Sequence, residues 1–309
     1  MSGRRTTLIL TLLLIVIGAG WALTQPLNKI AVSTGYQPLG LVFWQALIGA
    51  MILGAICAAT GRLFRPTRDQ WIMALVIAMI GTVLPAIASY RAAVHLPAGV
   101  LSILLSLVPI ISFPIAMAMA TDHFSLRRFA GLTTGLVAVL LIALPEASLP
   151  DPAMVLWIPV ALIAPAFYAL EGNVVAKFGT YRMDAVQTLF LASCIGAVTA
   201  LPAALAMGQF ILPAQIAAPE AALIVSAAVH AAVYTGYVWL VGRAGPLFAV
   251  QVSYLVTVFG LVWSMLLLGE RYAPQIWAAL GLMLVGMALV QPRPELKPRA
   301  ALPEAGQDA

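Results

Sequence analysis

Apolar residues fill this chain in long blocks, and polar residues fall between the blocks instead of alternating within them. One set of blocks lies at roughly 7 to 30, 38 to 59, 70 to 92, 97 to 120 and 127 to 145. A second set lies at roughly 153 to 177, 183 to 206, 219 to 243, 246 to 268 and 274 to 291. Each block is near the ~20 residues that a helix rising 1.5 Å per residue needs to cross about 30 Å of hydrocarbon. The pattern predicts an all-α integral membrane protein of ten transmembrane helices.

The two sets read as copies. Trp21, Ala22 and Leu23 recur as Tyr168, Ala169 and Leu170, Tyr90 recurs as Tyr237 at the same offset of 147, and with a one-residue slip Asp122 falls opposite Glu270. Copies with an odd number of crossings insert in opposite orientations, so an inverted five-helix repeat is expected. The loop charges agree: Arg62, Arg65 and Arg68 follow the second block, whereas the equivalent stretch from Met207 to Glu220 has no Lys or Arg. If the N-terminus is cytoplasmic, thirteen of the 16 Lys and Arg lie inside and only Lys29, Arg91 and Arg271 outside, which by the positive-inside rule favours N-in and C-in. The expected organisation is a cytoplasmic N-terminus at 1–6, a first repeat at 7–145, a periplasmic linker at 146–152, a second repeat at 153–291 and a disordered cytoplasmic tail at 292–309.

Composition narrows the function classes. With 62% hydrophobic and 9% charged residues, no water-soluble surface can be assembled, and the lipid bilayer is the expected surrounding. The net charge of +5 would point to nucleic acid in a soluble protein; here the basic residues sit in loops and ends, so topology accounts for them and no nucleic-acid partner is expected. Cys57 and Cys194 lie in apolar blocks without CxxC spacing, so neither a metal site nor a disulfide is expected. No cofactor is expected either, and without GxxxxGK[ST] the driving force must come from a gradient and not from ATP hydrolysed by this chain. HExxH and paired intramembrane aspartates are missing, which argues against an enzyme. The first block, behind Arg4 and Arg5, runs on into Gln25 and Asn28 without a small-residue cleavage site and so reads as a retained helix.

Polar groups inside the blocks are the candidates for chemistry, because each charge there costs roughly 2.5 to 3.5 kcal/mol on insertion scales. Glu171 is the one acid placed well within a block, with Tyr168 on the same helical face. It reads as a group for a substrate amine or a proton, or as a carboxylate ion-paired at the cytoplasmic mouth. His230, Tyr234 and Tyr237 share a face at i, i+4, i+7; the histidine suits coupling or binding, or alternatively an interhelical hydrogen bond. Trp21, Thr24, Gln25 and Asn28 form a stripe on the first helix that the repeat superimposes on the Tyr168 to Glu171 face. Tyr90, Gln251 and Tyr254 complete the substrate-binding candidates, with Glu171 and His230 the coupling candidates. Ser102 and Ser106 are a further polar pair at i, i+4. Arg91 reads either as a side chain extending to headgroups or as a site for a substrate carboxylate. Gly131 and Gly135 suit close helix contact, through packing within the chain or in a homodimer.

The Gly20-Trp21 region, Pro38 opening the second helix, and Gly269-Glu270-Arg271 followed by Gly281 and Gly286 resemble the EamA-type permeases of the drug/metabolite transporter superfamily. Asp122 with Gly131 and Gly135 is the first-half counterpart, with Asp where that motif has Glu. The resemblance covers about 7 to 291. It implies a ten-helix inverted-repeat carrier of small metabolites with a central cavity lined by helices 1, 3, 4, 6, 8 and 9, in the bacterial inner membrane. The expected function is therefore alternating-access transport of an amino acid or similar amphipathic compound, with export implied by the resemblance alone. A flippase for a lipid-linked substrate is the alternative. A membrane enzyme or a non-transporting receptor would differ in giving product without flux, or binding without flux.

Overall fold

The computed structural model describes residues 3–143, 149–212, 215–249 and 251–291. The tail at 292–309, expected to be disordered, lies outside the described residues, as does part of the 146–152 linker. Among the described residues, eight helices are long and apolar enough to cross a membrane. They are α1 (Gly3–Ala31), α2 (Pro38–Ala59), α3 (Arg68–His95), α4 (Ala98–Ala118), α5 (Leu126–Ala143), α6 (Ile158–Phe178, preceded by a tight turn at Pro152–Trp157), α7 (Ala185–Ala206) and α8 (Ala218–Ala244). Two shorter apolar helices follow, α9 (Val252–Leu268) and α10 (Pro274–Val290).

Helix ends follow from local chemistry. Thr67 and Gln70 form a reciprocal capping box at the start of α3, and Asp184 and Gln187 form one at the start of α7, each satisfying N–H groups that an initial turn leaves free. Gly179, Gly245 and Gly269 end α6, α8 and α9 at φ of 73°, 84° and 65°, a region that costs glycine little.

Three expected helices are less regular than their hydropathy. The block at 97 to 120 is interrupted at Ser106–Leu107, because Pro109 has no N–H for the Leu105 carbonyl and Ser106 Oγ turns back to donate to Ile103 O at 2.6 Å. The block at 246 to 268 divides into a short helical turn, Pro246–Ala249, and α9 proper. Within α3, residues Ala78–Val83 take a π-helical turn. Pro85 again explains it: four residues after Gly81, it cannot supply the N–H that the Gly81 carbonyl would meet in an α-helix.

Packing follows a pseudo-two-fold pattern. α2 lies along α7 and α5 along α10, while α1 of the first repeat packs on α8 and α9 of the second, and α6 packs on α3 and α4. Gly131 makes the α5–α10 contact close: a Cβ there would stand 2.8 Å from Gly286 O, and Gly135 meets Ile110 of α4. That glycine pair is used in packing within the chain. Loops gather on two faces. The basic face joins the 60–67 and 179–184 loops through the Arg62–Asp184 ion pair and the Gln70 Nε2 donation to Tyr181 O. On the far face Trp44 Nε1 donates to Ile211 O and Lys29 reaches the α3–α4 turn. Leu8, Leu12, Val16, Met51, Leu136 and Val198 are exposed along the outside, an apolar girdle suited to lipid tails and not to water.

Candidate substrate site

The pairing of α1 with α8 assembles an aromatic wall. Gly20 lets the helices close, since a Cβ there would come within 2.7 Å of Val233 Cγ1. The next residue, Trp21, then meets three rings of α8 edge-on: His230 at 6.0 Å, Tyr234 at 6.3 Å and Tyr237 at 5.4 Å between centroids. Edge-to-face geometry brings positive ring edges onto negative ring faces and contributes about 0.5 to 1.5 kcal/mol per pair beyond burial. One turn and two turns further along α1, Gln25 is half-buried and Asn28 Oδ1 accepts from Ser226 Oγ of α8 at 2.9 Å.

The pairing of α6 with α3 assembles a different surface. Glu171 of α6 lies directly against Gly81 in the π turn of α3, where any side chain would overlap its carboxylate. Tyr168 and Tyr234 are within Coulombic reach of that carboxylate, so the α6 and α8 surfaces face the same region. Tyr90 of α3, fully buried, donates to Gln45 Oε1 of α2 at 2.9 Å and lies near Tyr168. Glu171, Tyr168, His230, Tyr234 and Tyr237 are enclosed by the bundle, each largely but not fully covered. Among the described residues, no hydrogen bond and no Lys or Arg ion pair meets the Glu171 carboxylate, and no hydrogen bond meets the His230 imidazole.

Seven sequence candidates thus come together: Trp21 with His230, Tyr234 and Tyr237, Tyr234 and Tyr168 with Glu171, and Tyr90 beside Tyr168. Gln251 and Tyr254 do not join them. Gln251 is exposed in the break before α9, and Tyr254 packs into the core within reach of Arg127 on the basic face. Ser102 and Ser106 are buried and return their hydroxyls to their own helix, donating to Ala98 O and Ile103 O. Arg91 is exposed, in keeping with an outward guanidinium, and His95 stacks on Trp157 at 3.6 Å. A cleft of about 480 Å³ lies on the girdle between Phe129, Thr133 and Leu282, away from all of these.

Gly81 and Gln45 were not among the sequence candidates. A signal for Gly81 existed in Pro85 four positions on; none marked Gln45 as the partner of Tyr90.

The EamA-like transporter family model matches twice, at residues 8–144 and 155–291. The chain belongs to the EamA-like transporter family. It is a multi-pass membrane transporter of small molecules built from two EamA repeats. It is similar to the uncharacterized transporter YvbV of Bacillus subtilis (strain 168), 25% identical over 301 residues, with 96% of this chain and 95% of that one covered. A solved crystal structure shares the fold at a TM-score of 0.62 and 16% identity, covering 91% of this chain and 96% of the other.

Proposed function

We propose that this EamA-like chain is a secondary carrier of the bacterial cytoplasmic membrane that exports an amino acid or similar small amphipathic amine by alternating access. It crosses ten times with both ends in the cytoplasm. α9 and α10, at 17 residues each, span about 26 Å, which the turn at Pro246–Ala249 and modest local thinning of the bilayer extend to a full crossing. The concentration of Lys and Arg on the basic face supports its cytoplasmic placement.

The observation that carries the reading is the Glu171 carboxylate, without a hydrogen-bond or ion-pair partner among the described residues, within Coulombic reach of Tyr168 and of Tyr234 in the aromatic wall. A carboxylate in that position requires a counter-charge, and a substrate ammonium or a proton supplies it. Trp21, Tyr234 and Tyr237 offer ring faces to the apolar or cationic part of the substrate, and His230 offers a ring nitrogen for a hydrogen bond. Gln25 and Asn28 extend the polar stripe toward the far face. Because the two helix pairs belong to swapped halves of the repeat, rocking one against the other exposes the same site to each side in turn.

Substrate counterflow in liposomes containing the purified protein tests this. Preloaded unlabelled amino acids are expected to accelerate uptake of a labelled one, and Glu171→Gln is expected to abolish the acceleration. Equal counterflow by the Glu171→Gln variant would remove Glu171 from the mechanism, and no counterflow with any amino acid or related amine would overturn the substrate class.

A further inference from the structure

On the far face, side chains from two elements meet at the backbone of the α3–α4 turn. Glu270, between α9 and α10, accepts from the Ala98 N–H at 2.8 Å and the Gly99 N–H at 3.2 Å. These are free donors of the first turn of α4, where the positive end of the helix favours a carboxylate. Tyr272 donates its hydroxyl to the same carboxylate and seats against Gly99 so closely that a Cβ there would overlap it. Burial, and after it the bond to Glu270, raises the Tyr272 phenol above its ordinary value, so it stays a donor at physiological pH. Lys29 of α1 donates to Val94 O at 3.2 Å and Leu96 O at 3.0 Å, and lies within Coulombic reach of Glu270. A cation caps the carbonyl end of α3, an anion caps the N–H end of α4, and the second repeat is tied to the first.

With the one-residue slip that sets Asp122 opposite Glu270, a shift of 148 positions carries the cluster to the basic face: Glu270 to Asp122, Tyr272 to Phe124 and, one residue beyond the 147 register of α1 and α6, Lys29 to Lys177. The same shift relates the start of α5 at Leu126 to that of α10 at Pro274, and the start of α4 at Ala98 to Pro246. There the three counterparts are engaged differently. Lys177 donates to Met119 O at 2.8 Å, Asp122 pairs with Arg128 and accepts from the His123 N–H, and Phe124 is 66% exposed.

We infer that the two clusters are alternating latches, with the far-face latch closed and the basic-face latch released, so that this conformation opens toward the basic face. The inference rests on the alternating-access reading above. In the opposite conformation Lys177 takes the carbonyl end of α8 at Gly242 and Ala244, Asp122 leaves Arg128 for the backbone beyond Gly245, and Lys29 and Glu270 release the α3–α4 turn. The two latches are unequal. Pro246 stands where Ala98 donates, and proline has no N–H, so the basic-face latch has one donor fewer and the resting bias is toward far-face closure.

Double electron–electron resonance tests this on the full chain carrying Cys57→Ala and Cys194→Ala. One spin-label pair, at Val94 and Leu267, reports the far face, and another, at Leu126 and Trp239, reports the basic face. Glu270→Gln with Lys29→Met is expected to lengthen the far-face distance while shortening the basic-face one, changing the population ratio by about tenfold or more, as loss of charge-assisted hydrogen bonds would. Adding Asp122→Asn and Lys177→Gln is expected to reverse much of that shift. Should the first variant not fold, Tyr272→Phe removes one donor only and is expected to move both distances the same way by a smaller fraction. Distances that stay fixed, or faces that lengthen together, would overturn the latches. Counterflow separates the two readings: reciprocal distances without flux sink the carrier and leave the latches, whereas flux with fixed distances does the reverse.

Discussion

α1 and α6 are equivalent helices of the two repeats, yet at matching positions one carries Thr24 and the other Glu171. Thr24 is buried and donates its hydroxyl to Trp21 O at 2.7 Å, so its polar group is closed off within its own helix. Glu171 has no such return and lies on the π turn of α3. Their neighbours differ in the same sense: α8 is continuous and presents His230, while α3 has Val83 at the equivalent position and a distorted turn. The fold needs both helix pairs to pack alike, and they do; it does not need them to carry the same chemistry. Shape is therefore duplicated, and the polar groups that packing leaves unsatisfied occur where the copies diverge.

The largest expected effect separates those two positions. Glu171→Gln is expected to reduce transport by about a hundredfold, the loss of one charge-assisted contact in a low-dielectric site, whereas Thr24→Val changes it by less than about threefold. Initial counterflow rates check both, and equal losses at the two positions would dissolve the contrast. Gly81→Ala comes next. Its methyl overlaps the Glu171 carboxylate, so about a tenfold rise in KM is expected with the backbone left helical. In a Glu171→Gln background the same substitution should add little, because there is no longer a carboxylate to displace. Additive losses in that cycle would mean that Gly81 acts through helix packing instead.

Trp21→Ala probes the aromatic side. Three edge contacts are lost at about 0.5 to 1.5 kcal/mol each, so both thermal stability in detergent and substrate affinity are expected to fall, the affinity by about tenfold. A variant that loses stability but binds substrate unchanged would assign Trp21 to the α1–α8 interface alone.

Most of this arrangement was legible in the sequence because the bilayer forces long apolar helices and duplication forces a pseudo-axis. His230, Tyr234 and Tyr237 could be grouped because helical periodicity fixes which residues share a face. Periodicity fails where the helix fails. Gln251 and Tyr254 share a face at i, i+3 only if the block is one continuous helix, whereas Gln251 lies in the break between Pro246–Ala249 and Val252–Leu268. Gly81 is silent in the sequence for a related reason: a residue that matters by lacking a side chain becomes visible only when its neighbour across the interface, Glu171, is known. The sequence places Lys29 among the far-side charges, but its use on two carbonyls needs the long-range meeting of α1 with the α3–α4 turn.

The smallest predicted effect bears on how far the α1 stripe belongs to the site. Asn28 and Ser226 bond to each other across α1 and α8, and such interhelical hydrogen bonds within membranes contribute about 0.6 kcal/mol on average. A double-mutant cycle with Asn28→Ala and Ser226→Ala is expected to return a coupling of about that size in stability, with transport altered less than about twofold. If Asn28→Ala instead lowers transport strongly while Ser226→Ala does not, the Asn28 amide is contacting substrate in some step of the cycle. The polar surface of the first repeat would then not be wholly closed off, and the contrast between Thr24 and Glu171 would be one of degree along α1 and not a division between the halves.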